Sequence, residues 1–229
     1  MARTRALLLD LGDTLFRLDP MPADIEARVA RVLAHSGADG LDAAALVGAI
    51  QERLAANTTL QELDIEHIAR DLLRKFDAAP SLAPHVARTF HLADLFRFDA
   101  APSLAATLAG FRDRGVKLIA VSNTSTSSRL LRAYLDAIGV LRLFDATVFS
   151  LELGWKKPHP AIYHAALEAA GVAPDEAIFV GDRVREDVGG PLAEGIPAVL
   201  SHQYRQEPVD GVSPLAVIRS LDELGSLLR

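Results

Sequence analysis

The chain has 229 residues, of which 50% are hydrophobic and 24% charged, proportions that suit one globular domain with a sizeable insertion, or two small ones, and exclude a disordered, collagen-like or coiled-coil chain. Cysteine is absent, which removes disulfide frameworks, thiolate metal sites and cysteine nucleophiles. With 24 basic against 30 acidic residues, a net charge of −6 and no Lys/Arg-rich block, nucleic acid is not expected as a partner.

The first element is a short apolar run, Ala6 to Leu9, that stops at Asp10. A signal peptide needs ~7–15 apolar residues and a membrane span ~20, so neither is expected, and the reading is a cytoplasmic protein with no membrane partner. From Arg17 to Phe98 apolar residues recur only at helical spacing: Ile25, Val29, Val32; Leu46, Ile50, Leu54; Ile65, Ile68, Leu72, Phe76. That stretch reads as an all-α insertion of about four helices. A helix then follows Pro102, with Leu104, Leu108 and Phe111 on one face and Gly115 as its stop. A second carries Leu130, Leu131, Tyr134, Leu135 and Ile138 and closes at Gly139. Around these lie buried strand patterns at Lys117 to Val121, Thr147 to Phe149, Ala177 to Val180 and Ala198 to Leu200. Strands alternating with helices of this length predict an α/β fold with a mostly parallel sheet covered on both faces.

In such a sheet ligands bind beyond the carboxyl ends of the strands, and four strand ends carry polar residues. The first strand delivers Asp10, followed by Leu11-Gly12-Asp13-Thr14; alone, that aspartate is equally a turn former. The second ends in Ser122-Asn123, ahead of a helical pattern whose free N–H groups favour an anion, although a serine there is equally an N-cap. The third feature is Gly154-Trp155-Lys156-Lys157-Pro158-His159-Pro160, in a chain whose lysines are Lys75, Lys117, Lys156 and Lys157. The fourth is Gly181-Asp182 with Asp187 five residues further on. Together they offer carboxylates, a hydroxyl donor and an ammonium at one edge. Hard oxygen ligands with room for water suit Mg²⁺, which pairs with phosphate, and a carboxylate can attack phosphorus to form an acyl-phosphate.

In this order the four motifs resemble the haloacid dehalogenase (HAD) superfamily of hydrolases, subfamily I with a C1 helical cap, over essentially the whole chain. The resemblance implies a Rossmann-like parallel-sheet core, residues 1–16 and 99–229, and a small helical cap, residues 17–98, inserted after the first strand. It implies a phosphatase acting on a small phosphorylated metabolite through an aspartyl-phosphate. Asp10 would be the nucleophile, Ser122 and Lys157 would hold the transferring phosphoryl group, and Thr14 and Asn123 would add substrate contacts. Mg²⁺ would be bound by Asp10, the Gly12 carbonyl and Asp182, with Asp187 helping directly or through water.

One position departs from the pattern. Family phosphatases carry a second aspartate, a proton donor and later a general base, where this chain has Gly12. Asp13 is the candidate replacement, although adjacent residues in extended backbone face opposite ways. General acid–base assistance is worth ~10²–10⁴ in rate, so slow turnover of alkyl phosphates and a preference for good leaving groups are expected. The same gap is compatible with two alternatives, a metal-independent 2-haloacid dehalogenase and a catalytically weak phosphate-binding regulator. Asp182 argues against the first, because a metal-free halide enzyme has no use for that charge. A phosphonate hydrolase would need a cap lysine, and only Lys75 lies in the cap. His159 is expected to be structural and Trp155 either to shield the pocket or to pack. Arg17, Arg53, Asn57 and His67 are the polar cap residues that could set specificity.

Overall fold

The computed structural model describes residues 3–38 and 40–228. In chain order its elements are β1 (Ala6–Leu9), β2 (Phe16–Leu18), α1 (Ile25–His35), α2 (Ala43–Ala55), α3 (Ile65–Lys75), α4 (Ala83–Leu95), β3 (Phe98–Ala100), α5 (Leu104–Asp113), β4 (Lys117–Ser122), α6 (Ser128–Ala137), β5 (Ala146–Phe149), α7 (Ser150–Leu153), α8 (Pro160–Ala170), β6 (Ala177–Gly181), α9 (Gly190–Ala193), β7 (Ala198–Ser201) and β8 (Ala216–Ile218). Among the described residues, no helix is long and apolar enough to cross a membrane.

Six strands form one parallel sheet in the order β5-β4-β1-β6-β7-β8, a Rossmann-like α/β core. The central strands are apolar without interruption because both faces are covered. On one face Leu7, Leu9, Leu118, Ala120, Ile178 and Val180 pack under α5 and α6. On the other Ala6, Leu8, Ile119, Val121 and Phe179 pack under α8, whose Ile162, Tyr163, Ala166 and Leu167 face them. Successive residues of one strand therefore serve opposite layers, the period-two consequence of strand geometry. The five strands expected from the sequence lie within one residue of their expected places.

Three short strands have no counterpart in the sequence reading. The edge strand β8 pairs with β7, and β2 pairs antiparallel with β3, Arg17 opposite Asp99 and Leu18 opposite Phe98. Three-residue strands leave too short a pattern to detect. The residues expected to bound the helical insertion, Arg17 and Phe98, thus lie inside a ribbon that ties its two ends together. Between them, α1 to α4 pack on one another through a separate apolar cluster that includes Val29, Leu33, Leu46, Ile50, Ile68, Leu73, Val86 and Phe90. Helices α2 and α3 begin at Asp42 and Asp64, whose carboxylates accept from the Ala45 and Glu66 N–H groups and so satisfy helix N-termini.

Chain direction reverses around β1: from β1 the chain crosses to β4 and β5 on one side, then returns to β6 on the other. Such a switch point leaves a crevice at the carboxyl ends of the flanking strands, where β1, β4 and β6 end at Asp10, Ser122 and Asp182.

Candidate active site

Asp10 leaves β1 with its N–H still donating to the Val180 carbonyl at 2.9 Å, so its side chain is fixed by the sheet. Asp10, Ser122, Lys157, Asp182 and Asp187 are all buried, the last three at 3%, 2% and 1% exposure. Lys157 is the hub. Its ammonium donates to Asp10 Oδ1 at 2.6 Å, to Asp187 Oδ1 at 2.7 Å and to the Val121 carbonyl at 3.1 Å, which uses all three N–H bonds. Burial by itself would lower the lysine's pKa, but Asp10 and Asp187 more than offset that and hold it above the ordinary lysine value. Removing this one cation would leave two buried carboxylates uncompensated. Lys157→Met is therefore expected to cost about 3–5 kcal/mol of stability, read as a fall in chemical-denaturation midpoint; an unchanged midpoint would contradict the geometry.

Asn123 explains how Lys157 is aimed. Its Oδ1 accepts the Lys157 N–H at 2.6 Å and its Nδ2 donates to the Lys157 carbonyl at 3.0 Å. Asn123, expected as a substrate contact, clamps the backbone of the Lys157 loop onto the end of β4 and also lines the cavity. Ser122 is likewise not a cap: α6 begins at Ser128, and residues 123–127 separate the two. Its hydroxyl makes one long contact, to the Asn123 carbonyl at 3.4 Å, and lines the cavity.

The carboxylates differ in how fully they are engaged. Asp187 accepts from Lys157 on one oxygen and from the Arg183 N–H at 3.0 Å on the other. It lies so close over Gly181 that a Cβ there would sit 2.2 Å from its Cγ, which is why a glycine closes β6. Asp182 receives at most the Thr14 hydroxyl on Oδ1, at 3.4 Å, while Oδ2 has no hydrogen bond and faces the Arg205 guanidinium at 3.6 Å. The Thr14 hydroxyl is also 3.3 Å from Asp10 Oδ2; its single proton can serve one of the two. Thr14, expected to touch substrate, is fully buried and bridges the nucleophile candidate to Asp182.

Oxygens of Asp10, Asp182 and Asp187 lie within 4.8 Å of one another. Burial raises the Asp10 pKa, with Lys157 offsetting and Asp187 adding, and burial followed by repulsion from Asp10 and Asp187 raises that of Asp182. A cluster of hard oxygen donors with an unpartnered buried oxygen suits a divalent cation. Asp182 Oδ2 is the oxygen of this cluster without a hydrogen bond. Asp187 is the third carboxylate of the cluster, each of its oxygens already accepting one hydrogen bond.

The Asp10–Thr14 turn decides the fate of the two central candidates. Asp13 adopts φ 53°, and its Oδ1 accepts the Leu18 N–H at 3.0 Å while its own N–H donates to the Phe16 carbonyl at 2.6 Å. Asp13, the expected replacement acid, closes the turn into β2 with one oxygen and also lines the cavity. At Gly12 a Cβ would meet Leu18 Cδ1 at 2.7 Å and Cγ at 3.3 Å. The space a side chain would occupy there is filled by Leu18, a residue that no sequence pattern singles out.

These groups open into a cavity of about 650 Å³. Asn57 is the one residue of the expected specificity set in its wall, within the α2–α3 loop that also supplies Thr58, Thr59 and Glu62. Arg17 pairs with Asp99 at 2.8 Å instead, and His67 sits against Asp71 on an exposed helix face. Glu62 reaches the core, accepting from the buried Ser150 hydroxyl at 2.5 Å, while Gln61 bridges Trp155. The signal for that loop was its polar run, but helical periodicity carries no information about which loop tip folds over the sheet. His159 caps α8 by accepting the Ala161 N–H at 3.2 Å, and Trp155 stacks on it with ring centroids 4.1 Å apart; both are structural. Lys75 is exposed and outside the cavity.

A family model described as haloacid dehalogenase-like hydrolase matches residues 4–195. Phosphoserine phosphatase from Thermus thermophilus is 32% identical over 220 residues, spanning 85% of this chain and 87% of that protein. Haloacid dehalogenase-like hydrolase domain-containing protein 3 from Bos taurus is 40% identical over 95 residues, 42% of this chain and 37% of that protein. Among solved structures, a 2-haloacid dehalogenase from Pseudomonas syringae pv. Tomato superposes with a TM-score of 0.77 at 22% identity, each chain 98% covered; at that identity the likeness concerns the fold.

Proposed function

On the premise that the chain belongs to the haloacid dehalogenase-like hydrolases, we propose that it is a Mg²⁺-dependent phosphatase of a small phosphorylated metabolite, working in the cytoplasm through an aspartyl-phosphate on Asp10. The observation that carries this reading is Asp182: a buried carboxylate oxygen with no hydrogen bond, beside the Asp10 carboxylate. Burying such a charge is costly unless cations offset it; Arg205 does so only from 3.6 Å, beyond hydrogen-bond contact, and phosphate is the substrate chemistry that a divalent cation serves. Names of relatives point the same way, since proteins called phosphoserine phosphatase and phosphoglycolate phosphatase align over most of the chain.

In the proposed cycle the Asp10 carboxylate attacks phosphorus, the Asp–O–P bond forms and the bond to the leaving oxygen breaks, the electron pair going with the leaving group. Water then attacks phosphorus and gives up a proton to solvent, the bond between the Asp10 oxygen and phosphorus breaks with its electron pair returning to the carboxylate, and phosphate departs. Lys157 and Ser122 offset the charge on the transferring phosphoryl group, and the Asn123 clamp keeps the ammonium in place while that charge moves. When bound, Mg²⁺ would neutralise phosphate charge and orient the group for in-line attack. We assign residues 17–98 to a cap closing over the site, supported by their separate apolar cluster and by the α2–α3 loop in the cavity wall.

The test is release of p-nitrophenol from p-nitrophenyl phosphate with Mg²⁺ and with EDTA, beside halide release from 2-chloropropionate. Metal-dependent phosphate release supports the reading, whereas EDTA-insensitive halide release would replace it with the dehalogenase. Asp182→Asn supplies a second check without catalysis. Because the folded-state pKa of Asp182 is raised, its ionised form costs stability at neutral pH, and the neutral amide relieves it. The metal-free variant is expected to melt above wild type, by about 2–4 °C for each kcal/mol of repulsion removed, and to lose any stabilisation by Mg²⁺. A variant still stabilised by Mg²⁺ would place the metal elsewhere.

A further inference from the structure

Behind the site, the segment after β7 folds over the loop that carries Asp182. The Glu207 carboxylate accepts the Val184 N–H at 3.2 Å, the Glu207 carbonyl lies 3.0 Å from His202 Nε2, and Gln203 Oε1 accepts the Leu221 N–H at 2.9 Å. These contacts bring the Arg205 guanidinium to 3.6 Å from Asp182 Oδ2, the oxygen with no hydrogen bond. Arg205 is 38% exposed and is not among the residues of the cavity wall. Among the described residues it makes no other ion pair. Three carboxylates face a single committed lysine here; the Arg183 charge also acts on Asp182, and Arg205 supplies its one ion pair among the described residues.

We propose that Arg205 is an internal counter-cation of the metal site. It partly neutralises Asp182 in the metal-free chain, and an incoming divalent cation must bind against its charge, so the same guanidinium preserves the fold and weakens metal affinity. The inference rests on the Mg²⁺ reading of the Asp10/Asp182 cluster. It follows from the sign of the Coulomb interaction: at about 4–6 Å in a partly dry site, one unit charge weighs heavily on both neighbours, attracting the carboxylate and repelling the metal. A residue that merely props the loop would have no reason to separate the two effects.

Calorimetric titration of MgCl₂ into EDTA-treated, desalted full-length protein, with melting in EDTA alongside, tests it on wild type, Arg205→Gln and Glu207→Ala. Arg205→Gln is expected to melt lower without metal and to bind Mg²⁺ about fivefold more tightly or better. Glu207→Ala removes one of the contacts that bring Arg205 up to Asp182 and should therefore lower melting in EDTA and tighten Mg²⁺ by a smaller factor than Arg205→Gln. Unchanged or weaker Mg²⁺ binding by Arg205→Gln, with wild type binding normally, overturns the counter-cation alone. Unchanged metal-free melting of that variant overturns its role in holding Asp182. Absence of Mg²⁺ heat in wild type and variant alike overturns the metal reading and this inference with it.

Discussion

Asp10→Asn is expected to lower turnover of phosphate substrates by on the order of 10⁴-fold or more, the scale on which loss of a covalent nucleophile is felt, while leaving a folded protein. The amide has the same shape but no anionic oxygen to attack phosphorus. The fold should survive because Lys157 keeps its bonds to Asp187 and to the Val121 carbonyl, and because the crowded carboxylates lose one charge. A melting curve close to or above that of wild type, together with intact-mass detection of a phosphoryl adduct in wild type and none in the variant, would locate the chemistry on Asp10. Turnover within tenfold of wild type would remove Asp10 as the nucleophile.

The second large effect concerns the leaving group. An alkoxide is a poor leaving group unless it is protonated, and the carboxyls of the cavity wall are mostly occupied: Asp13 by the Leu18 N–H, Glu62 by Ser150, Asp94 by Arg97 and Thr126. With Leu18 filling the space beside Gly12, aryl or acyl phosphates are expected to be turned over about 10²–10⁴ times faster than alkyl phosphates, the usual worth of general acid assistance. Gly12 is not in the left-handed region, so a side chain there is opposed by Leu18 and not by the backbone. Gly12→Asp with Leu18→Ala should therefore raise alkyl phosphate turnover at least tenfold, with a smaller gain for p-nitrophenyl phosphate, and should exceed Gly12→Asp alone. Glu186 also lines the cavity and makes no side-chain hydrogen bond among the described residues. If alkyl and aryl rates are comparable in wild type and Glu186→Gln separates them, Glu186 is the proton donor and the slot at Gly12 is irrelevant.

The core strands were legible because a strand buried on both faces is an apolar run that stops abruptly, and the stopping residues Asp10, Ser122 and Asp182 are the ones at the sheet's edge. Lys157 was legible through scarcity of lysine and its position beside two prolines. The local partners of Thr14, Asn123 and Asp13 were not. Each has short polar side chain chemistry equally suited to substrate and to backbone, and the choice depends on what lies across the fold: Asp182 for Thr14, the Lys157 backbone for Asn123, the Leu18 amide for Asp13. Sequence spacing contains none of those partners.

Local pattern alone therefore determined the α/β architecture, the helical stretch within residues 17–98 and the group of strand-end residues, because periodicity and strand termini are properties of neighbours in the chain. Tertiary packing decided that Leu18 stands where a side chain at position 12 would be, that Lys157 is shared by two carboxylates and that Arg205 comes up behind Asp182. Those outcomes depend on which surfaces meet when a sheet, a ribbon and a late loop converge on one point, and the burial that convergence produces turns ordinary surface charges into a strongly coupled site.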